Sequence, residues 1–314
     1  MTMAFVFPGQ GSHSVGMLHE LAQVYSEIES VFAEASDVLG YDLWDICLRG
    51  PKERLDSTVV TQPAMLAADI ALWTVWSERT GLRPVVMAGH SLGEYSALVA
   101  AGVFSFVDAL RLVALRGQLM QEAVPMGEGA MAAIIGASRQ QVLDLCQQAA
   151  QSTVLSVAND NAPGQIVVAG HTAAVKRAIN LAQSCGARKA VLLPVSVPAH
   201  SALMRSAVEP FSQALSEVAV SAPTIPVIHN VDLLEHHQPD EIRNILLQQL
   251  TQSVRWVETM QLMVARGVTE CVECGPGKVL VGLNKRIAPD LVNHIINTPV
   301  QLDQTLDVIQ EDVL

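Results

Sequence analysis

Short apolar runs alternate with segments of helical periodicity along most of the chain. Runs such as AFVF (4–7) and VVMAG (85–89) predict buried strands. The stretches at 26–39 and 106–124 carry apolar residues at helical spacing. Strands that alternate with helices are typical of a mostly parallel sheet with helices on its faces. The pattern therefore predicts an α/β protein.

The pattern changes from Gly129 onward. It then predicts, in order, a strand at 130–135, a helix at 139–150, a strand at 154–158, a turn at 159–164 (NDNAPG), a strand at 165–169, a helix at 173–184 and a strand at 189–194. This β-α-β-β-α-β order is that of ferredoxin-like domains. We predict a small domain at 127–194, inserted into a large domain of residues 1–126 and 195–314. One continuous sheet is the alternative.

Composition narrows the class of protein. Half of the 314 residues are hydrophobic, 16% are charged and the formal net charge is −12, which argues against nucleic acid as a partner. No basic segment precedes the N-terminal apolar run, and no apolar run approaches the roughly 20 residues that span a bilayer. We expect a cytoplasmic monomer without a membrane partner.

The five cysteines are an odd number and are expected to be reduced thiols. Cys271 and Cys274 form a C-x-x-C, but on a strand these positions face opposite sides of the sheet. We interpret them as structural thiols and predict no metal site.

The strongest chemical motif is Gly89-His90-Ser91-Leu92-Gly93, between an apolar strand and an amphipathic helix. A G-x-S-x-G in this context indicates a nucleophile elbow, in which a sharp turn exposes the serine hydroxyl. A simple turn is the alternative. His200, between an apolar run and a helix, is the candidate base, although a histidine that caps a helix would look the same. His90 is expected to support the turn.

Six separated motifs, in this order, together resemble the malonyl-CoA:acyl carrier protein transacylases of bacterial fatty-acid synthesis. They are FVFPGQG, TQPAML, GHSLGEYSAL, LRGQLMQEAVP, VPAHSALM and ECGPGKVLVGLNKRI, and the resemblance extends to about Ile287. It implies a hydrolase-like core with a mostly parallel sheet and an inserted ferredoxin-like domain. The tail beyond Ala288 matches no motif.

The resemblance also implies roles for individual residues. Ser91 would be the acylated nucleophile and His200 its general base and acid. Gln249 would orient the histidine through its backbone carbonyl. The backbone N–H groups of Gln10 and Leu92 would form the oxyanion hole, so the glycines around Gln10 would let that loop approach the thioester.

Arg116 would bind the malonyl carboxylate. It lies among apolar residues, where an unpaired guanidinium is costly. From the residues alone, a salt bridge to Glu122 or Glu94 is an equally good reading. Ala199 stands where relatives usually carry serine or an aromatic residue, and its methyl group is expected to widen the acyl pocket.

The implied reaction is a ping-pong transfer of malonyl from malonyl-CoA to acyl carrier protein, with no cofactor. Three alternatives remain: a serine esterase or thioesterase, a transacylase of malonate decarboxylase or polyketide synthesis, and a non-enzymatic subunit that docks the carrier. Because carrier proteins are acidic, docking would need a local basic patch. The candidates are Arg188, Lys189, Lys278, Lys285 and Arg286.

Overall fold

The computed structural model describes residues 2–195 and 197–311. Within them, a large sheet consists of β1 (Met3–Phe7), β2 (Val86–Gly89), β7 (Val227–Ile228), β8 (Glu270–Glu273) and β9 (Val292–Ile295). Its strand order is β7-β2-β1-β8-β9, and every pairing is parallel. The N-terminal strand is therefore central, and its five residues are all buried, as its apolar sequence requires.

Helices cover both faces of this sheet. They are α1 (His19–Ala22), α2 (Ser26–Leu39), α3 (Leu43–Arg49), α4 (Lys52–Leu55), α5 (Thr58–Thr80), α6 (Gly93–Ala100), α7 (Phe106–Glu122), α10 (Arg205–Glu217, after a 3₁₀ turn at Ala202–Met204), α11 (Pro239–Gln249), α12 (Trp256–Ala265), α13 (Val279–Ile287) and α14 (Pro299–Glu311).

Helix α5 packs against α2 and α7 in the middle of the core. It is long and apolar enough to cross a membrane by composition, contrary to the expectation that no such segment exists. In this structure 78% of its most apolar window is buried inside the protein, as in a core helix.

A second, antiparallel sheet consists of β3 (Gly129–Ile135), β4 (Leu155–Ala162), β5 (Gln165–His171) and β6 (Lys189–Leu192), in the order β4-β5-β3-β6. Helices α8 (Arg139–Ala150) and α9 (Thr172–Leu181) pack against it around a separate apolar cluster. Ser138 and Gln141 form a capping box that fixes the start of α8. In the described part of the chain the two sheets are separate, so one continuous sheet is wrong.

The expected turn at 159–164 is wrong in part. Strand β4 continues through Asn159, Asp160 and Asn161 to Ala162, and the chain turns only at 163–164. This part of β4 pairs with β5, and Asn159 also forms an isolated bridge to Val254, which lies outside both sheets. The Asp160 N–H donates to Val254 O at 2.9 Å, and the Val254 N–H donates to Ala158 O at 2.9 Å.

Two features of the C-terminal part of the structure differ from the expectations drawn from the sequence. Strand β9 and helix α14 complete the edge of the large sheet, although the sequence beyond Ala288 showed no usable motif. Arg286 donates hydrogen bonds to Gln165 Oε1 and to Pro163 O, at 2.5 and 2.6 Å. This arginine therefore ties α13 to the hairpin of the small sheet and is not a freely solvated charge.

Candidate active site

The G-x-S-x-G motif forms a sharp turn between β2, which ends at Gly89, and α6, which begins at Gly93. Ser91 lies at the tip with φ 55°, in the left-handed region that serine seldom adopts. A Cβ atom on Gly89 would lie 1.8 Å from the backbone carbon of Gly93, so only glycine permits this turn. The strand, the turn and the helix have the geometry of a nucleophile elbow.

Ser91 and His200 are joined directly. Ser91 Oγ is 2.7 Å from His200 Nε2, and His200 Nδ1 is 2.8 Å from the backbone oxygen of Gln249. A carbonyl oxygen can only accept, so Nδ1 carries the proton and Nε2 faces the serine as an acceptor. The arrangement leaves His200 able to take the hydroxyl proton of Ser91.

Burial and, to a smaller extent, the nearby positive charge of Arg116 together lower the pKa of His200 to about 3. The imidazole is therefore neutral over the physiological range. A substrate anion that neutralises Arg116 would remove one cause of this low pKa and strengthen the base when substrate is bound.

The side chain of Gln249 contacts two other site residues. Its Nε2 donates to Ser91 O at 3.0 Å, and its Oε1 accepts from Arg116 Nη2 at 3.1 Å. One residue thus contacts the nucleophile, the base and the arginine, although its contact with the base uses the backbone alone.

Arg116, on α7, is only 2% exposed and lines the same cavity as Ser91. Its Nη1 donates to Gln62 Oε1 at 2.7 Å, and its Nη2 lies 3.4 Å from Ser91 Oγ. Its partners are neutral, and across the described residues no carboxylate lies within salt-bridge distance of it. Burial lowers its pKa. The salt bridge to Glu122 or Glu94 is therefore wrong.

The loop that follows β1 reaches the elbow. A Cβ atom on Gly9 would lie 2.5 Å from His90 O and 3.7 Å from Leu92 N. Among the described residues, the N–H groups of Gln10 and Leu92 have no hydrogen-bond acceptor, and both residues line the cavity beside Ser91. Two unoccupied donors beside a nucleophile are what an oxyanion requires.

The cavity has a volume of about 210 Å³ and lies between the two sheets. Its polar side is formed by Gln10, Thr58, Gln62, His90, Ser91, Arg116, Asn159, Asn161 and His200. Its apolar side is formed by Met120, Met131, Val167, Leu193, Val195, Val197 and Ala199. Ala199 thus lies on the apolar wall of this cavity. Over residues 2–195 and 197–311, no cluster of His, Cys, Asp or Glu has a metal-binding arrangement. Cys271 and Cys274 are buried free thiols.

Some neighbours of the site were not identified from the sequence. Gln62 was noted only as part of the TQPAML motif. A glutamine within an apolar helix could itself have indicated a buried polar contact. His90 Nε2 donates to Asn161 Oδ1 at 2.7 Å, and His90 also lies against Trp256, with ring centroids 5.5 Å apart. His90 therefore supports the turn. Asn230 contacts the elbow from a segment 139 residues away in sequence, which no local pattern reveals.

Comparison with known proteins places this geometry in context. The acyl transferase domain family matches residues 4–287. The malonyl CoA-acyl carrier protein transacylase of Escherichia coli K12 is 50% identical over 305 residues, which cover 97% of this chain and 99% of that protein.

Solved structures agree with the sequence matches. The crystal structure of an acyl carrier protein S-malonyltransferase from Vibrio cholerae superimposes with a TM-score of 0.95 at 51% identity, covering 97% of this chain and 100% of that one. A malonyl-transacylase solved in complex with its type II polyketide synthase acyl carrier protein has a TM-score of 0.97 at 48% identity, covering 98% and 99%.

Proposed function

Because this chain belongs to the family of malonyl CoA-acyl carrier protein transacylases, we propose that it transfers malonyl from malonyl-CoA to acyl carrier protein. The main support for malonyl as the acyl group is Arg116. It is a buried cation with neutral partners, and it faces the same cavity as Ser91 and His200. A carboxylate bound there would form charge-assisted, bidentate hydrogen bonds.

In the first half-reaction, His200 Nε2 takes the proton of Ser91 as Oγ attacks the thioester carbon. The carbonyl oxygen becomes an oxyanion and accepts hydrogen bonds from the N–H groups of Gln10 and Leu92. The carbon–sulfur bond then breaks, the imidazolium of His200 protonates the departing CoA sulfur, and a malonyl ester remains on Ser91.

The second half-reaction reverses these steps with a different thiol. The phosphopantetheine thiol of the carrier gives its proton to His200 and attacks the ester carbon. The carbon–oxygen bond breaks and Ser91 Oγ recovers the proton. Gln249 O holds the Nδ1–H of His200 throughout, which fixes the tautomer without placing an anion beside the substrate.

The proposal also covers the cofactor requirement, the cellular location, the oligomeric state and the domain organisation of the enzyme. The enzyme needs no cofactor and works as a cytoplasmic monomer without a membrane partner. Residues 127–194 form a ferredoxin-like domain inserted into a large domain of residues 1–126 and 195–314, which the strand order β4-β5-β3-β6 supports.

The proposed docking patch for the acidic carrier comprises Arg188, Lys189, Lys278, Lys285 and Arg286. All five are exposed, but Arg286 is already bonded to the small sheet. Lys285→Glu is therefore the better test. It should raise KM for the carrier and leave KM for malonyl-CoA unchanged, and an unchanged KM for the carrier would remove Lys285 from the patch.

A second candidate carrier is a polyketide acyl carrier protein, because one of the matching structures holds such a carrier in complex with its malonyl-transacylase. A hydrolase is disfavoured, since Arg116 has no role in simple ester hydrolysis.

The test is steady-state kinetics with malonyl-CoA and a phosphopantetheinylated carrier, with malonyl-carrier and free malonate both measured. Parallel double-reciprocal lines and little free malonate are expected. Intersecting lines would contradict the ping-pong mechanism, and stoichiometric free malonate would indicate a hydrolase.

A further inference from the structure

Asn230 lies beside the elbow because of the register of the large sheet. Strand β7 pairs with β2 in parallel, with Ile228 opposite Ala88. Continuing both strands by two residues places Asn230 level with His90, next to Ser91. Asn230 is fully buried, so its amide must be satisfied within the protein.

The Asn230 side chain bridges the turn. Its Oδ1 accepts from the Ser91 N–H at 2.8 Å, and its Nδ2 donates to Gly89 O at 2.6 Å. Both contacts are satisfied in one orientation of the amide only, since each needs a different half of the group. The left-handed Ser91 would otherwise leave its part-buried N–H without a partner in the protein.

Glu94 in turn holds Asn230. Its Oε2 accepts from the Asn230 backbone N–H at 2.9 Å, and its Oε1 is 2.8 Å from Nδ1 of His229. All three residues are fully buried. Because Glu94 lies in the first turn of α6, this contact joins the segment that follows β7 to the helix that follows the nucleophile.

The Asn230 contact also affects the oxyanion. Since the Ser91 N–H is already bound, it cannot donate to the substrate. The donors available there are the N–H groups of Gln10 and Leu92. Asn230 therefore sets both the direction of Ser91 Oγ and the choice of donors.

We propose that Asn230 is a positioning residue for acylation, which holds the peptide of Ser91 in its left-handed conformation and is itself held by Glu94 and His229. The proposal rests on the proposed role of Ser91 as the nucleophile. It assigns Asn230 an effect on the acylation rate that is separate from its effect on folding.

The test compares Asn230→Ala with Asn284→Ala. Asn284 is a matched control because it is also fully buried and bonded at both ends of its amide, to Trp256 Nε1 at 3.1 Å and to Asn293 Oδ1 at 3.2 Å. Single-turnover acylation is followed by intact mass at saturating malonyl-CoA, and thermal unfolding is measured for each variant.

Both variants should lose stability. Only N230A should acylate more slowly, by about 100-fold, the cost of a small displacement of a reacting group, with an unchanged half-saturating malonyl-CoA concentration. Labelling of Ser91 by a sulfonyl fluoride, which carries no carboxylate for Arg116, should slow in parallel. Glu94→Gln keeps only one acceptor oxygen and should show a smaller defect in the same direction, and it decides the question if N230A does not fold.

A wild-type acylation rate in N230A, or in E94Q if N230A does not fold, would overturn the proposal, as would an equal rate loss in N284A. These outcomes differ from failure of the proposed function, in which the wild-type protein itself would form no adduct.

Discussion

Replacement of Arg116 by glutamine tests the link between the buried cation and substrate choice. The substitution keeps a polar side chain that can bond to Gln62 or Gln249 but removes the positive charge. Arg116 is 2% exposed, so its pairing with a carboxylate would be largely desolvated. Truncating one member of such a pair typically costs about 2–5 kcal/mol. At about 1.4 kcal/mol per factor of ten, kcat/KM for malonyl-CoA should fall by about 30-fold to several thousand-fold.

The assay measures acylation of Ser91 with malonyl-CoA and with acetyl-CoA. Acetyl-CoA has no carboxylate, so Arg116→Gln should leave its kcat/KM near the wild-type value and the preference for malonyl should collapse. Arg111→Gln is the matched control, because Arg111 lies on the same helix with its side chain 65% exposed, and it should change neither value. An equal loss for both substrates would refute carboxylate recognition by Arg116.

Three further predictions address the base, its orienting contact and the oxyanion loop. Because the pKa of His200 is lowered to about 3, His200 loses its function as a base only as pH falls towards that value. The acid limb of the kcat/KM profile should therefore lie well below pH 6.5, and a limb near 6.5 would contradict this assignment. Gln249→Ala keeps the backbone carbonyl on His200 and loses the contacts with Ser91 and Arg116, so it should impair malonyl-CoA more than acetyl-CoA; an equal loss of kcat/KM for the two substrates would argue against this division. In Gly9→Ala the new Cβ atom would lie 2.5 Å from His90 O, which forces the loop away from the elbow. This variant should lower kcat by about 100-fold, as loss of one oxyanion donor does. Gly282→Ala is the control, because its Cβ atom meets no atom within 4 Å and kcat should stay unchanged. A wild-type kcat in the Gly9 variant would exclude the loop from catalysis.

Sequence patterns predicted most of the fold that positions the site. The α/β class, the nucleophile turn and the strand and helix order of the small sheet are local in origin, because apolar periodicity and glycine positions determine them. Strand β4 was cut short because Asn159, Asp160 and Asn161 read as a turn. In the structure they pair with β5 across two irregularities in register, and Asn159 also bridges to Val254, which is distant in sequence.

For the candidate site too, the sequence predicts the residues that stand in local motifs and misses those placed by distant contacts. Ser91, His200 and Arg116 stand in motifs, and the structure brings them together, with Ser91 Oγ 2.7 Å from His200 Nε2 and 3.4 Å from Arg116 Nη2. Their roles remain predictions. Asn230 stands in none of the motifs, since it acts through a contact between distant segments that only the sheet register creates.

The most direct test of the account is the intact mass of the protein after brief mixing with malonyl-CoA, with the adduct located by peptide sequencing and then chased with phosphopantetheinylated carrier protein. One malonyl group is expected on Ser91 and should disappear onto the carrier, and Ser91→Ala should form no adduct. An adduct that persists in Ser91→Ala, or a malonyl-enzyme that the carrier cannot discharge, would contradict the proposed function.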